Sequence, residues 1–194
     1  YSDLSKVTGG FGSTAFCLDC LTTQSGGEFV YWDSRIGNWR DKNYYPMVNV
    51  LQSLSDIQAM VTKYGNSLTG SSVYCNQCSS PSLPFTSYGL TVVYNSTINQ
   101  FVDPDSGLPP ISTPYTAATL PSLSDATSAN IYIPGTVLWC NNCNVNGRPG
   151  AYIHVSAVTP ATWVDANDAP VTSGPYSLAT LPTKGVLDGA RVYC

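Results

Sequence analysis

Leu138-Trp139-Cys140-Asn141-Asn142-Cys143 is the stretch that decides the fold, because an apolar residue and an aromatic residue run directly into a C-x-x-C motif. Residues 15–20 (AFCLDC) and 73–78 (VYCNQC) repeat the same order. The residues before the cysteines favour a strand, and most of those between the cysteines suit a turn. Each copy is therefore predicted to be a strand that runs into a tight turn.

An alternating or apolar strand follows each motif, after a loop that contains Gly or Pro. These strands are predicted at residues 28–32, 90–94 and 151–155. Each copy then closes with an aromatic residue, one other residue and an aspartate, and these aspartates are spaced by 62 residues: Asp41, Asp103 and Asp165. Self-similarity of this kind is typical of repeat proteins.

The repeats predict an all-β fold of tandem β-hairpin or sandwich-like modules, with short strands and little helix. The expected boundaries are residues 1–50, 51–113 and 114–172 for three modules, and 173–194 for the start of a fourth module or a strand-donating tail. A short helical connector is expected near residues 55–64, with Ser55 as N-cap and Gly65 as stop. Modules of about 60 residues are marginally stable alone, so they must stack, oligomerise or be stapled.

Charge and apolar patterning argue against nucleic-acid binding and against a membrane span. Charged residues make up only 10% of the chain, the formal net charge is −4, and Lys and Arg total eight. Nucleic-acid binding is not expected, because phosphate contacts need clustered cations. No membrane span is expected either, because no apolar stretch approaches the ~20 residues that cross a bilayer.

Seven cysteines in a chain with so few charges favour an oxidising, extracellular location. The first and fourth Cα atoms of a β-turn lie within ~7 Å, a separation that a disulfide can bridge. Two such pairs brought together could instead hold zinc. The candidate disulfides join Cys17 to Cys20, Cys75 to Cys78 and Cys140 to Cys143, and Cys194 is left unpaired within the chain.

Acidic loops follow two of the closing aspartates and offer oxygen ligands of the kind that calcium prefers. The candidate ligands are Asp103, Asp105, Asp165, Asn167 and Asp168. The alternative is that these side chains act as turn residues and bond to the loop backbone. No cofactor is expected, and calcium and zinc are the only candidates.

Aromatic side chains are the candidate contacts for surface glycans, because rings on a β surface stack on sugars. The candidates are Trp39, Tyr44, Tyr45 and Trp163, with core and cross-strand packing as the alternative use. Asn95 begins the N-x-S/T sequon Asn95-Ser96-Thr97 and is a candidate for glycosylation.

No catalytic residues are predicted. The chain has one histidine, His154, in an alternating strand, and one glutamate, Glu28. It has no G-x-S-x-G elbow for a serine nucleophile. A non-enzymatic protein is therefore expected.

The repeated pattern resembles a small module of tailed-phage virion fibre and appendage proteins. The matching pieces are residues 119–121 (TLP), 135–140 (GTVLWC), 150–153 (GAYI), Trp163, 180–182 (TLP), 189–193 (GARVY) and 37–40 (GNWR). The resemblance implies a non-enzymatic assembly part that is often homo-oligomeric and exposed to the outside.

Two functions follow as expectations. The first is a structural subunit of an extracellular fibre or filament, borne by a phage virion or a bacterial surface, with copies of itself as partners through β-strand contacts. The alternative is a lectin-like adhesin that binds surface glycans.

Overall fold

The computed structural model describes residues 1–20, 27–86, 88–145 and 148–172, and the single residues 177, 179, 181 and 191. This part of the chain folds into three small antiparallel sheets of three strands each, with little helix, as predicted. The expected fourth module at residues 173–194, including Cys194, lies outside the described residues apart from those single positions.

Each sheet is a meander in which the strands pair in chain order. The nine strands are β1 (Thr14–Cys17), β2 (Glu28–Asp33), β3 (Asn38–Arg40), β4 (Ser72–Cys75), β5 (Leu90–Asn95), β6 (Gln100–Val102), β7 (Val137–Val145), β8 (Arg148–Val155) and β9 (Trp163–Val164). The third strand of each sheet was not predicted, because a run of two or three residues has no measurable period.

The three sheets share one register, so the sequence repeat is also a structural repeat. In each, the residue two places before the first cysteine pairs with a buried residue of the next strand. These pairs are Ala15 with Val30, Val73 with Val92, and Leu138 with Ile153. Because side chains alternate across a strand, the intervening aromatic residue of each copy lies on the opposite face.

The predicted connector is the helix α1 (Leu54–Tyr64). Its N-cap is Ser53 rather than Ser55: the Ser53 hydroxyl accepts the Asp56 N–H, and the Asp56 carboxylate accepts the Ser53 N–H. This reciprocal capping box starts the helix earlier than expected. Gly65 caps the other end, as predicted. A second, short helix, α2 (Ala126–Ile131), was not predicted.

The chain forms two compact units. Residues 1–79 and 86–112 form the first unit, which contains the first two sheets, and residues 80–85 and 113–194 form the second. In the first unit, Ile57 of α1 packs into a core that includes Tyr45 and Phe101, whose ring centroids lie 5.8 Å apart. Within the described residues, no helix has the length and apolarity to span a bilayer.

Candidate functional site

The three C-x-x-C motifs are disulfides. Cys17 is bonded to Cys20, Cys75 to Cys78 and Cys140 to Cys143, with Cα atoms 5.4 to 5.6 Å apart. All six cysteines are buried. A sulfur in a disulfide carries no thiolate to bind zinc, so the structure selects the disulfide alternative. The first two bonds fix the turns that follow β1 and β4, as predicted. The third bond lies inside β7, where the strand continues past the cysteines through a register shift between Cys140 and Asn144, so the tight turn predicted there is wrong.

In all three modules, a glycine lies next to the aromatic residue that precedes the first cysteine. Comparing the three copies in the sequence did not reveal this pairing. Phe16, Tyr74 and Trp139 each precede the first cysteine of their module, and each ring lies next to a glycine of the loop or strand that follows. The glycines, all with positive φ, are Gly27, Gly89 and Gly150. The ring covers the backbone that a glycine leaves bare, a device known to rescue strand glycines.

The closing aspartates organise the loops that follow them. The Asp165 Oδ1 atom accepts the N–H groups of Asn167 and Ala169 at 2.7 and 3.0 Å. Asp41 makes the same two contacts in its own loop, with Asn43 and Tyr45. These bonds match the turn alternative.

Asp103 uses both carboxylate oxygens within its loop. Its Oδ1 atom accepts the Asp105 N–H at 3.1 Å, and its Oδ2 atom accepts the Ser106 hydroxyl at 2.7 Å. In the third module, the Asp168 carboxylate lies 3.3 Å from the His154 Nε2 atom. Calcium binding by these loops, Asp103, Asp105, Asp165, Asn167 and Asp168, stays a prediction.

The segment that leads into each of the second and third sheets pairs with the first strand of that sheet. Gln52 forms a parallel bridge with Cys75 and accepts the Asn76 N–H at 2.6 Å. Tyr115 forms the equivalent bridge with Cys140 and accepts the Asn141 N–H at 2.8 Å. In both cases the segment covers the outer edge of the module's first strand.

A side chain between the third pair of cysteines also contacts the segment that contains Tyr115. Asn142, between the two cysteines, accepts the Ala117 N–H at 2.8 Å through its Oδ1 atom. The carbonyl of Pro81 also accepts the Trp139 N–H at 2.8 Å on the same edge. In the second and third sheets, the outer edge of the first strand therefore pairs with backbone from outside the sheet.

The first module has the same edge, formed by β1 and the residue after it. Leu18 stands where Asn76 and Asn141 stand, and its side chain is 82% exposed. Within the described residues, no segment bridges to the outer side of β1. Asp19, at the position of Asn142, contacts the terminal amino group of Tyr1.

A cleft of about 530 Å³ lies over the outer face of the first sheet. Exposed rings of Phe11, Tyr31 and Tyr44 line it. Its polar lining includes Asp33, Arg35, Arg40 and Lys42. Rings beside charged groups suit a polar ligand with an apolar face, such as a sugar.

Asp33 and two arginines form the charged floor of this cleft. The Arg35 Nη2 atom lies 2.8 Å from the Asp33 carboxylate, and the Arg40 Nε atom forms an ion pair with it at 2.7 Å. Hydrogen bonding from Arg35, aided by the charge of both arginines, holds the pKa of Asp33 below its usual value. Asp33 is therefore an anion at neutral pH.

The predicted glycan-stacking residues separate into two groups. Trp39, Tyr45 and Trp163 are buried and have no ring face open to a sugar. The indole N–H groups of Trp39 and Trp163 donate to the carbonyls of Val7 and Pro121 within the fold. Only Tyr44 of the four keeps an exposed ring, and it lies in the loop after β3 with a φ of 60°.

Asn95 ends β5, and its side-chain oxygen accepts the Thr97 N–H at 2.9 Å. Its glycosylation stays a prediction.

Compared with known proteins, the chain matches no protein family, no curated sequence and no solved structure.

Proposed function

We propose that the protein is a structural subunit of an extracellular fibre or filament, of a phage virion or a bacterial surface, that assembles through β-strand contacts. The observation that carries the proposal is the repeated pairing of the segment before a sheet with the first strand of that sheet, at Gln52 with Cys75 and at Tyr115 with Cys140. Backbone pairing of this kind can continue along a series of modules without any change in side chains.

Exposed aromatic residues on the outer sheet faces support assembly. Phe16 and Phe29 pack edge to face at 5.1 Å on the first sheet, with Tyr31 exposed beside them. Trp139 and Tyr152 form a similar pair at 4.9 Å on the third sheet. Aromatic residues are enriched at protein interfaces, whereas charged residues are depleted from interface cores.

The disulfides support an extracellular location, since such bonds persist in oxidising compartments. They also support a structural role, because the same bond recurs in all three modules at the same place in the repeat.

Self-association tests the proposal directly. Light scattering and electron microscopy of the purified chain over a wide range of concentrations should reveal oligomers or filaments that grow with concentration. A chain that stays monomeric at every concentration would exclude assembly through its own copies.

Glycan binding is the second candidate function, and the cleft beside Tyr44 favours it. The proposed sugar would stack on Tyr31 or Tyr44 and bond to the charged groups around Asp33, in the usual combination of an apolar wall with a few polar contacts.

A glycan array probed with the wild-type protein and the Tyr44→Ala variant tests this candidate. Tyr88→Ala is the matched control, because Tyr88 is also exposed but does not line the cleft. Binding that Tyr44→Ala abolishes and Tyr88→Ala retains is expected. A parallel array with a chelator tests whether calcium takes part, and equal binding by all three proteins would exclude the cleft.

A further inference from the structure

The cleft over the first sheet exposes cations to solvent and keeps its carboxylates covered. The side chains of Arg35 and Lys42 are both exposed. Of the two acids in the lining, Asp33 is mostly buried and Asp41 is buried. The charges that a ligand meets in this cleft are therefore positive.

Both carboxylates already have partners within the fold. The Asp33 carboxylate accepts two N–H groups of Arg35 at 3.1 and 2.8 Å and forms an ion pair with Arg40 at 2.7 Å. The Asp41 Oδ1 atom accepts two backbone N–H groups of its own loop. Three cations and two anions line the cleft, so the lining has a net charge of +1, whereas the whole chain has a net charge of −4.

Arg35 and Lys42 keep donors that a ligand can use. A guanidinium has five N–H donors, and the contacts with Asp33 occupy only the Nε and Nη2 atoms of Arg35. The same two contacts fix the direction of the guanidinium, whose planar fork matches a carboxylate. Within the part of the chain that the structure describes, the Lys42 ammonium forms no ion pair.

The repeat itself does not require these cations. The second sheet has the same register 62 residues later, and it carries Thr97 at the position of Arg35 and Pro104 at the position of Lys42. The third module has Ala166 directly after its closing aspartate, where the first module has Lys42. The cations are therefore an addition to the first module, which points to a ligand rather than to folding.

Exposed rings supply the apolar wall of the cleft. Tyr44 lies in the same loop as Lys42, and the exposed ring of Tyr31 lines the cleft as well. Binding sites for small molecules commonly combine such a wall with a few placed polar groups. A ligand that matches both parts has a ring with an apolar face and a negative charge at its edge.

We propose that this cleft binds a sugar that carries a carboxylate, such as a uronic or sialic acid residue of an acidic surface polysaccharide. The sugar ring stacks on Tyr44 or Tyr31, and its carboxylate contacts Arg35 and Lys42. The inference rests on the glycan-binding candidate function and names the class of its ligand.

An array of acidic glycans, each printed beside its carboxyl-reduced counterpart, tests the proposal. Carboxyl reduction converts the carboxylate into a primary alcohol and keeps the sugar ring. We expect the wild-type protein to bind one or more acidic glycans and to bind their reduced counterparts at least ~10-fold more weakly. Salt at ~1 M, which shortens the Debye length to about 3 Å, should weaken the binding of the acidic glycans.

Two lysine variants locate the charge that matters. Lys42→Gln should weaken the binding of acidic glycans ~5-fold and leave the binding of reduced glycans unchanged. Lys63→Gln is the matched control, because it makes the same change of charge at an exposed lysine of α1 that does not line the cleft. We expect this control to bind acidic glycans as the wild type does.

The outcomes separate this inference from the glycan-binding function. If acidic and reduced glycans bind equally well and Tyr44→Ala abolishes both, the inference is overturned and glycan binding at the cleft stands. If Lys42→Gln and Lys63→Gln bind acidic glycans equally, Lys42 does not contact the carboxylate and the inference is overturned. If no glycan binds, the inference and the glycan-binding function are both overturned.

Discussion

Arg40 occupies a position that holds an apolar residue in the other two modules. Its cross-strand partner is Tyr31, and the equivalent pairs place Val102 and Val164 at its position. Arg40 is 2% exposed and donates to the carbonyls of Tyr44 and Ser67. Burial lowers its pKa, but Asp33 beside it opposes that effect. The guanidinium therefore holds the Tyr44 loop and the turn after α1 together.

Replacing Arg40 with Val, the residue of the equivalent positions, should destabilise the first unit by about 3 kcal/mol. The substitution leaves the Ser67 carbonyl without its Arg40 donor, leaves the Tyr44 carbonyl with the Ser71 hydroxyl alone, and removes one partner of a largely buried ion pair. Arg35→Val is the matched control: Arg35 is 65% exposed, so its loss should cost under about 1 kcal/mol. Urea unfolding followed by tryptophan fluorescence measures both, and equal losses would contradict the assignment.

Asp33 should make the stability of the first unit sensitive to acid. Its pKa in the folded chain lies below the ordinary value of 3.8 because Arg35 donates to the carboxylate. A lowered folded pKa stabilises the fold above the ordinary pKa, and this contribution is lost as pH falls through the folded pKa. The stability difference between wild type and Asp33→Asn should therefore be constant near neutral pH and shrink below about pH 4. Urea unfolding at a series of pH values checks this, and a difference that persists at low pH would refute it.

At the scale of single elements, the pairing of an aromatic ring with a glycine explains why a glycine recurs just before β2, just before β5 and near the start of β8. A Cβ atom at Gly89 would lie 2.1 Å from the Tyr74 Oη atom and 2.5 Å from Cζ. That ring is also held in place, because its hydroxyl donates to the Tyr88 carbonyl at 2.6 Å. Neither the ring nor the strand can move away without breaking a contact.

Gly89→Ala should therefore cost more than Gly107→Ala, although both glycines have positive φ. Gly107 has open space where a Cβ would go, so alanine there costs only the backbone strain of about 1 kcal/mol. At Gly89 the ring clash should add at least ~1 kcal/mol. Tyr74→Ala should reduce the cost of Gly89→Ala in a double-mutant cycle. Equal costs at the two glycines, measured by thermal unfolding, would show that the ring does not matter.

The elements that the sequence predicted are those with a repeated local pattern. The strands expected at residues 28–32 and 90–94 are β2 and β5, each one residue longer. The third strands and α2 were missed because two to six residues carry too little periodicity to be recognised. The choice between glycan stacking and core packing for Tyr45 could not be made from local sequence, because its burial depends on packing by α1 and β6, which lie far along the chain.

For the whole molecule, the sequence predicted the repeat but not which backbone segment pairs with the first strand of the second and third sheets. The cysteine motifs and closing aspartates recur within each copy, so they were found by comparing copies. Gln52 and Tyr115 share no residue type, because each pairs through its backbone. A contact made only by backbone atoms leaves little trace in side chains. The burial of Arg40 was not predicted either, because two of its acceptors are the backbone carbonyls of Tyr44 and Ser67, which a residue of any type supplies.

At the scale of the whole molecule, each of the three disulfides should add a small and similar amount to the free energy of unfolding of modules that are only marginally stable alone. Each closes a loop with a sequence separation of three, and a loop so short restricts the unfolded chain by only about 2 kcal/mol. The double variant Cys140→Ser, Cys143→Ser should lose that amount, against a total stability of order 5–15 kcal/mol for a domain. Urea unfolding checks the loss.

A reductant should lower the stability of the wild type further than that of a variant lacking all three disulfides, and a zinc chelator should change neither. A wild-type chain that is indifferent to reductant but destabilised by the chelator would instead mean that the cysteines bind metal in solution.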